Sequence, residues 1–95
     1  MVFPQFGRPS EAMSQHGFAR TSLWSVGEVS STRDACSLQL LLASSESTLA
    51  QWPHAFQLKY TVTLSASGLQ CTLSAVNVGN SAFECHTLLH TYFRV

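Results

Sequence analysis

Residues 56–75 alternate between apolar and polar side chains. In the run FQLKYTVTLS, every second residue from Phe56 to Leu64 is apolar or aromatic, and the residues between them are polar. This period of two predicts a strand with one buried face. After the short SASG connection, the run from Leu69 to Ala75 alternates in the same way. Two such runs across a glycine-containing turn predict an antiparallel hairpin.

The remaining segments carry weaker signals. Residues 1–20 contain prolines and glycines, which predict irregular structure with turns and short strands. The apolar run 36–44 fits either a buried strand or a piece of helix, because periodicity does not separate the two. Residues 44–53 are polar and end at a proline, so we expect a loop there. Residues 82–95 are rich in aromatic and β-branched side chains and are predicted to form the third strand of a meander. The fold class is therefore predicted to be all-β, an antiparallel sheet of a sandwich.

If residues 82–95 form a strand, its two faces differ in character. One face would be apolar and turned towards the core. The other would be polar and aromatic, with Glu84, His86, Leu88, His90 and Tyr92. Such a face suits a sugar, because aromatic rings stack on its C–H groups and polar side chains meet its hydroxyls.

Charge is scarce in this chain. Charged residues make up 11% of the sequence, against roughly 25% in an ordinary globular domain. A free-standing domain of 95 residues exposes much of its surface and covers it with charge. We therefore expect much of this surface to be buried by further chain. The five acidic and five basic residues balance and form no basic stripe, which argues against a nucleic-acid partner.

Several other classes of protein and site find no support in the sequence. No stretch of about 18 apolar residues is present, so we expect no membrane span, and the N-terminus does not have the pattern of a signal peptide. Three cysteines without paired spacing indicate free thiols in a reducing compartment. Cys85, His86 and His90 fall short of a structural zinc set, and no G-x-S-x-G nucleophile motif occurs. We predict no metal and no cofactor.

Four strings of residues together resemble a known family. They are VFPQFG (2–7), QHGFAR (15–20), WPHAFQLKYTVTLS (52–65) and LHTYFRV (89–95). In this order they are similar to the glucose-6-phosphate 1-epimerase family, which belongs to the aldose-1-epimerase, or galactose-mutarotase-like, superfamily. The resemblance extends over nearly the whole chain but matches only the N-terminal part of such proteins.

This resemblance implies a large β-sandwich in the cytoplasm that acts on a hexose 6-phosphate without a metal. Members of the family interconvert the α and β anomers of the sugar. A base takes the proton of the anomeric hydroxyl while an acid protonates the ring oxygen. The matching strings imply that His90 is the acid, which suits a side chain that titrates near neutral pH. They imply that His16 binds or polarises the substrate, that Arg20 anchors its phosphate, and that Gln5 contacts the sugar. The oligomeric state stays open.

The general base has no counterpart among these residues. In the family it is a glutamate farther along the sequence, and none of the four glutamates of this chain stands in the matching context. Glu84 would share a strand face with His90, but it lies six residues away, roughly 20 Å along an extended strand. The chain also carries His86 where the family usually has threonine and Leu88 where it usually has alanine, so we expect Leu88 to crowd the acid.

Two functions follow from these observations. In the first, residues 1–95 are the incomplete N-terminal part of one sandwich domain of a hexose-6-phosphate mutarotase, and they are inactive alone because the base is missing. In the second, the same face belongs to a carbohydrate-binding or interaction module that does no catalysis.

Overall fold

A computed structural model describes all 95 residues and contains one antiparallel sheet. Its four strands are adjacent in the order in which they follow one another along the chain. They are β1 (Ser25–Ser31), β2 (Ala35–Ala43), β3 (Phe56–Ser65) and β4 (Gly68–Asn77). A single short helix, α1 (Glu46–Gln51), connects β2 to β3. The predicted all-β class is confirmed.

The predicted hairpin is formed by β3 and β4. Its register pairs Phe56 with Asn77 at one end and Ser65 with Gly68 at the other, so Ala66 and Ser67 make the turn. Gly68 has a φ of 138°, which a residue with a side chain rarely adopts. The alternation in the sequence therefore predicted both strands and their connection correctly.

Strand β2 settles the ambiguity of the apolar run 36–44 in favour of a strand. It pairs along its whole length with β3, so that Leu38, Leu40 and Leu42 lie opposite Val62, Tyr60 and Leu58. Opposite residues of an antiparallel pair point to the same face. The apolar residues of β2, β3 and β4 therefore form one continuous face of the sheet, and the other face is mostly polar.

The core covers only one end of this apolar face. Leu42, Phe56 and Leu58 are buried there beneath four residues of the N-terminal segment: Phe3, Met13, Phe18 and Ala19. The Phe56 ring lies 5.0 Å from that of Phe3 and 5.6 Å from that of Phe18, measured between centroids. At the other end of the same face, Leu64 and Leu69 are 55% and 60% exposed. The sheet thus has an open apolar surface.

Residues 44–53 are not the loop that we predicted, because a short helix begins there. Ser45 caps it: the Ser45 hydroxyl accepts from the Thr48 N–H at 3.3 Å, and the Thr48 hydroxyl accepts from the Ser45 N–H at 2.8 Å. These reciprocal bonds form a capping box and satisfy two donors that a helix start leaves unpaired. α1 lacks both the length and the apolar character that a membrane-crossing helix needs.

Strand β1 was not anticipated from the sequence. Its pairing with β2 shifts between Val26 and Val29, where the register shows a bulge or irregularity. An extra residue in one strand breaks the period of two on which recognition of a strand depends. Both valines are also more than 60% exposed, so no buried face marks this segment.

The prediction of a third meander strand over residues 82–95 is wrong. This segment leaves the sheet and runs back to the N-terminal segment, where Leu88 and Val2 exchange two backbone hydrogen bonds of 2.8 and 3.3 Å. The His86 N–H also donates to the Pro4 carbonyl at 2.8 Å. Pro4 has no N–H to return, so the short ladder cannot extend into a strand.

Candidate functional site

His16 and His90 come together in the folded chain. Their imidazole centroids lie 6.1 Å apart and the ring planes make an angle of 48°. His16 belongs to the N-terminal segment and is half-buried, whereas His90 follows the bridge at Leu88 and is exposed. The two rings face one hollow of about 250 Å³. It is lined by Met1, Val2, Gln15, His16, Arg20, His90 and Tyr92; we call it the histidine cavity.

A larger hollow of about 630 Å³ lies elsewhere, between α1, β2 and residues 14–25. Its lining is made of serine, threonine, glutamine and apolar side chains and contains no ionisable group. Proton transfer needs a group that can gain or lose a proton. The smaller histidine cavity is therefore the better candidate for a reactive site.

His16 is held by Gly7 in two ways. The His16 N–H donates to the Gly7 carbonyl at 2.7 Å, and the Gly7 N–H donates to Nδ1 of the His16 ring at 3.1 Å. Nδ1 is thus the acceptor nitrogen, which assigns the proton of the neutral ring to Nε2. The Phe6 ring packs 5.1 Å from the imidazole. His16 also has a φ of 68°, a left-handed conformation that costs a non-glycine residue energy and that is concentrated at functional sites.

Gly17 allows the segment after His16 to approach Phe3. The Phe3 carbonyl accepts from the N–H groups of Phe18 and Ala19 at 3.1 and 3.3 Å. A Cβ at position 17 would collide with this same Phe3 carbonyl. Only glycine therefore fits between His16 and the residues that pack into the core.

Arg20 lies on the rim of the histidine cavity. Nη2 of Arg20 donates to the Gln15 carbonyl at 2.8 Å, and this hydrogen bond fixes the direction of the Arg20 side chain. A guanidinium carries five N–H donors, so the contact with Gln15 leaves most of them available to a ligand. Tyr92 forms another wall, with its ring stacked 5.0 Å from that of His90.

Gln5 does not line the histidine cavity. Its side chain is 4% exposed and binds the loop that follows it. Nε2 donates to the carbonyls of Ser10 and Ser14, both at 3.2 Å, and Oε1 accepts from the Ser10 N–H at 3.0 Å. The amide of Gln5 is therefore occupied within the chain, and its contact with a sugar stays a prediction.

The predicted grouping of residues 84–92 on one face does not hold in the structure. His90 and Tyr92 line the histidine cavity, but Glu84 and His86 line a different hollow of about 430 Å³ beside Trp52. Because the segment is not a regular strand, parity no longer decides which side chains share a face. Leu88 lines neither hollow, so crowding of His90 by Leu88 is not observed.

No carboxylate reaches the histidine cavity, and no cluster of three His, Cys, Asp or Glu side chains could hold a metal ion. Two groups away from this cavity have displaced pKa values. A hydrogen bond with Cys71 raises the pKa of Tyr60, and burial raises the pKa of the Cys85 thiol. The lining residues of the cavity that carry ionisable groups are His16, His90, Arg20, Tyr92 and the N-terminal residue Met1, and none of them has a carboxylate side chain.

Comparison of the sequence with known proteins identifies the family of this chain. The family model described as "Aldose 1-epimerase" matches residues 1–95. The chain belongs to the aldose 1-epimerase family. A curated relative from Escherichia coli (strain K12), named "Putative glucose-6-phosphate 1-epimerase", is 33% identical over 96 residues. That alignment includes the whole chain, which spans only 31% of the length of the relative. No solved structure matches the chain significantly.

Membership of the aldose 1-epimerase family confirms the kinship predicted from the four strings of residues. Two of these strings contain the histidines that meet in the cavity. The contribution of Gly7 was not foreseen, although it ends the first string, because its part in the site depends on a contact with a residue nine positions later.

Proposed function

We propose that this chain provides one side of a hexose-6-phosphate mutarotase site, with His90 as general acid and His16 and Arg20 as binding groups. The observation that carries the proposal is the meeting of the His16 and His90 rings, 6.1 Å apart, over one cavity whose rim includes Arg20. The aldose 1-epimerase family supports sugar chemistry, and the name of the bacterial relative supports a 6-phosphate.

In the proposed reaction, His90 gives a proton to the ring oxygen of the sugar. At the same time a base removes the proton of the anomeric hydroxyl, and the bond between the anomeric carbon and the ring oxygen breaks. The aldehyde carbon rotates, and the ring closes on its other face by the reverse transfers. His16 donates from Nε2, because Nδ1 already accepts from Gly7, and so polarises an oxygen without releasing its proton. Arg20 pairs with the phosphate through its free donors.

We propose that the base lies outside these 95 residues. None of the residues that line the histidine cavity is acidic. Two further observations support an incomplete sandwich domain over residues 1–95: the sheet has an open apolar face, and the chain spans 31% of the length of its bacterial relative. A second sheet packed on that face would bury it and could bring a carboxylate to the sugar.

The lack of a carboxylate also favours a second candidate function for the isolated chain, that of a carbohydrate-binding module without catalysis. The two candidates share their binding groups and differ in whether a completing segment with a base exists. Both predict that the 95-residue chain binds the sugar phosphate without turning it over.

Ligand titration tests the shared part of the proposal. We expect glucose 6-phosphate to bind the chain and glucose to bind at least about tenfold more weakly, because a guanidinium–phosphate contact contributes about 1.5 kcal/mol or more. Arg20→Met should remove this preference and leave the weak affinity for glucose. His90→Gln should weaken both sugars. Isothermal titration calorimetry or the NMR signals of the sugar measure each affinity.

Arg33→Met is the matched control, since Arg33 lies in the turn between β1 and β2, outside the histidine cavity. It should bind both sugars as the unmodified chain does. Equal affinity of Arg20→Met and the unmodified chain for glucose 6-phosphate would exclude Arg20 as the phosphate anchor.

A further inference from the structure

Two consecutive backbone amides of the N-terminal loop each donate to a histidine ring. The Phe6 N–H donates to Nδ1 of His86 at 3.1 Å, and the Gly7 N–H donates to Nδ1 of His16, also at 3.1 Å. The rings come from opposite ends of the chain. The Phe6–Gly7 pair is therefore a junction that connects the segment of His16 to the segment that leads to His90.

His86 is fixed in this junction by its main chain as well as by its ring. Its N–H donates to the Pro4 carbonyl at 2.8 Å, and Leu88, two residues later, pairs with Val2. Residues 86–88 thus lie along residues 2–6, and His90 follows Leu88 by two positions. Movement of residues 86–88 along the loop would change the separation of the two rings in the cavity.

We propose that His86 is a positioning residue for the histidine cavity: its Nδ1 holds the Phe6 amide and thereby sets His90 opposite His16. The importance of this role for a sugar reaction rests on the function proposed above. His86 does not line the cavity, so it acts there only through other residues. Because Nδ1 of His86 accepts from Phe6, the ring proton lies on Nε2.

The chain offers a matched pair of substitutions for this role. In His86→Asn the amide oxygen takes about the place of Nδ1 and still accepts from Phe6. In His86→Leu the side chain has the same branching and size as asparagine but accepts no hydrogen bond. We expect the leucine variant to bind glucose 6-phosphate about threefold to tenfold more weakly than the unmodified chain, in line with the loss of one hydrogen bond. The asparagine variant should bind it about as well as the unmodified chain.

Nitrogen-15 NMR of the imidazoles in the full 95-residue chain reports which ring nitrogens carry protons and whether the surroundings of the rings change. It needs no assay of activity. In the unmodified chain, His16 and His86 should both show a protonated Nε2 and an unprotonated Nδ1. The ring signals of His16 and His90 should move in His86→Leu and stay in place in His86→Asn. A protonated Nδ1 on His86, or unchanged His16 and His90 signals in the leucine variant, would overturn the proposal.

The outcomes separate this proposal from the proposed function. If neither the unmodified chain nor either His86 variant binds glucose 6-phosphate but the nitrogen signals behave as described, the proposed sugar function is wrong and the positioning role of His86 stands. If the unmodified chain binds the sugar and both variants bind it equally well, the positioning fails and the function stands. If His86→Leu does not fold, as judged by circular dichroism, the tautomer of His86 in the unmodified chain decides: an Nε2 proton supports the proposal and an Nδ1 proton overturns it.

Discussion

Replacement of Gly17 by alanine is expected to lower the free energy of unfolding by about 3 kcal/mol or more, a large fraction of the total stability of a small domain. Gly17 has a φ of 75°, where an alanine is strained, and its new Cβ would collide with the Phe3 carbonyl. That carbonyl accepts from Phe18 and Ala19, so the clash would disrupt the fold of the N-terminal segment, which covers the core residues of the sheet. Urea unfolding followed by circular dichroism measures the loss.

Gly7→Ala is the matched control for this substitution. Gly7 has a φ of 68°, close to that of Gly17, but no atom lies within 4 Å of the position of an added Cβ. Only the backbone strain remains, and we expect a loss of about 1 kcal/mol. If the two alanine variants were equally stable, the close approach of residue 17 to Phe3 would not be the reason for glycine there.

Truncation of Phe56 to alanine should cost about 3–5 kcal/mol, the usual range for a buried phenylalanine. Phe56 is fully buried, at 0% exposure, and its ring contacts those of Phe3, Phe18 and Trp52. The substitution would leave a cavity between the sheet and the N-terminal segment, and it would loosen the support of His16. Urea unfolding again measures the change.

Leu64 provides the comparison within the same strand and on the same face. It is 55% exposed, so Leu64→Ala should change the free energy of unfolding by about 1 kcal/mol or less. A loss as large as that of Phe56→Ala would contradict the description of this end of the sheet as open.

The hairpin of β3 and β4 was predictable because one face of β3 is apolar and the other polar, which makes burial visible as a period of two. Strand β1 lacks this period of two, since its valines are exposed and an irregularity in its pairing with β2 shifts the register. Helix α1 is only six residues long and depends on a capping box of serine and threonine, which two hydroxyls build without any apolar periodicity. The alternation of apolar and polar residues therefore predicted the strands that bury one face. It did not predict β1, whose pairing is irregular, or α1, which depends on its capping box.

The path of residues 82–95 depends on contacts between the two ends of the chain, and composition does not encode these. The aromatic and β-branched residues of this segment suggested a strand. The partner that the fold offers is the segment around Pro4, which can form only a short backbone ladder. The candidate site was foreseen in part, because His16 and His90 lie in strings that resemble a family. Gly7 and His86 were not foreseen as its supports, since their roles arise from the fold and not from a motif.

Exchange NMR spectroscopy of glucose 6-phosphate mixed with the chain tests the central claim most directly, because it reports binding and anomer exchange in one sample. We predict that the ring signals of His16 and His90 shift together, with the same dependence on sugar concentration. We also predict that the α and β anomers exchange no faster than in buffer, since no carboxylate lines the histidine cavity to act as the base opposite His90. A shift of only one of the two rings, or clear acceleration of the exchange by the chain alone, would contradict the account.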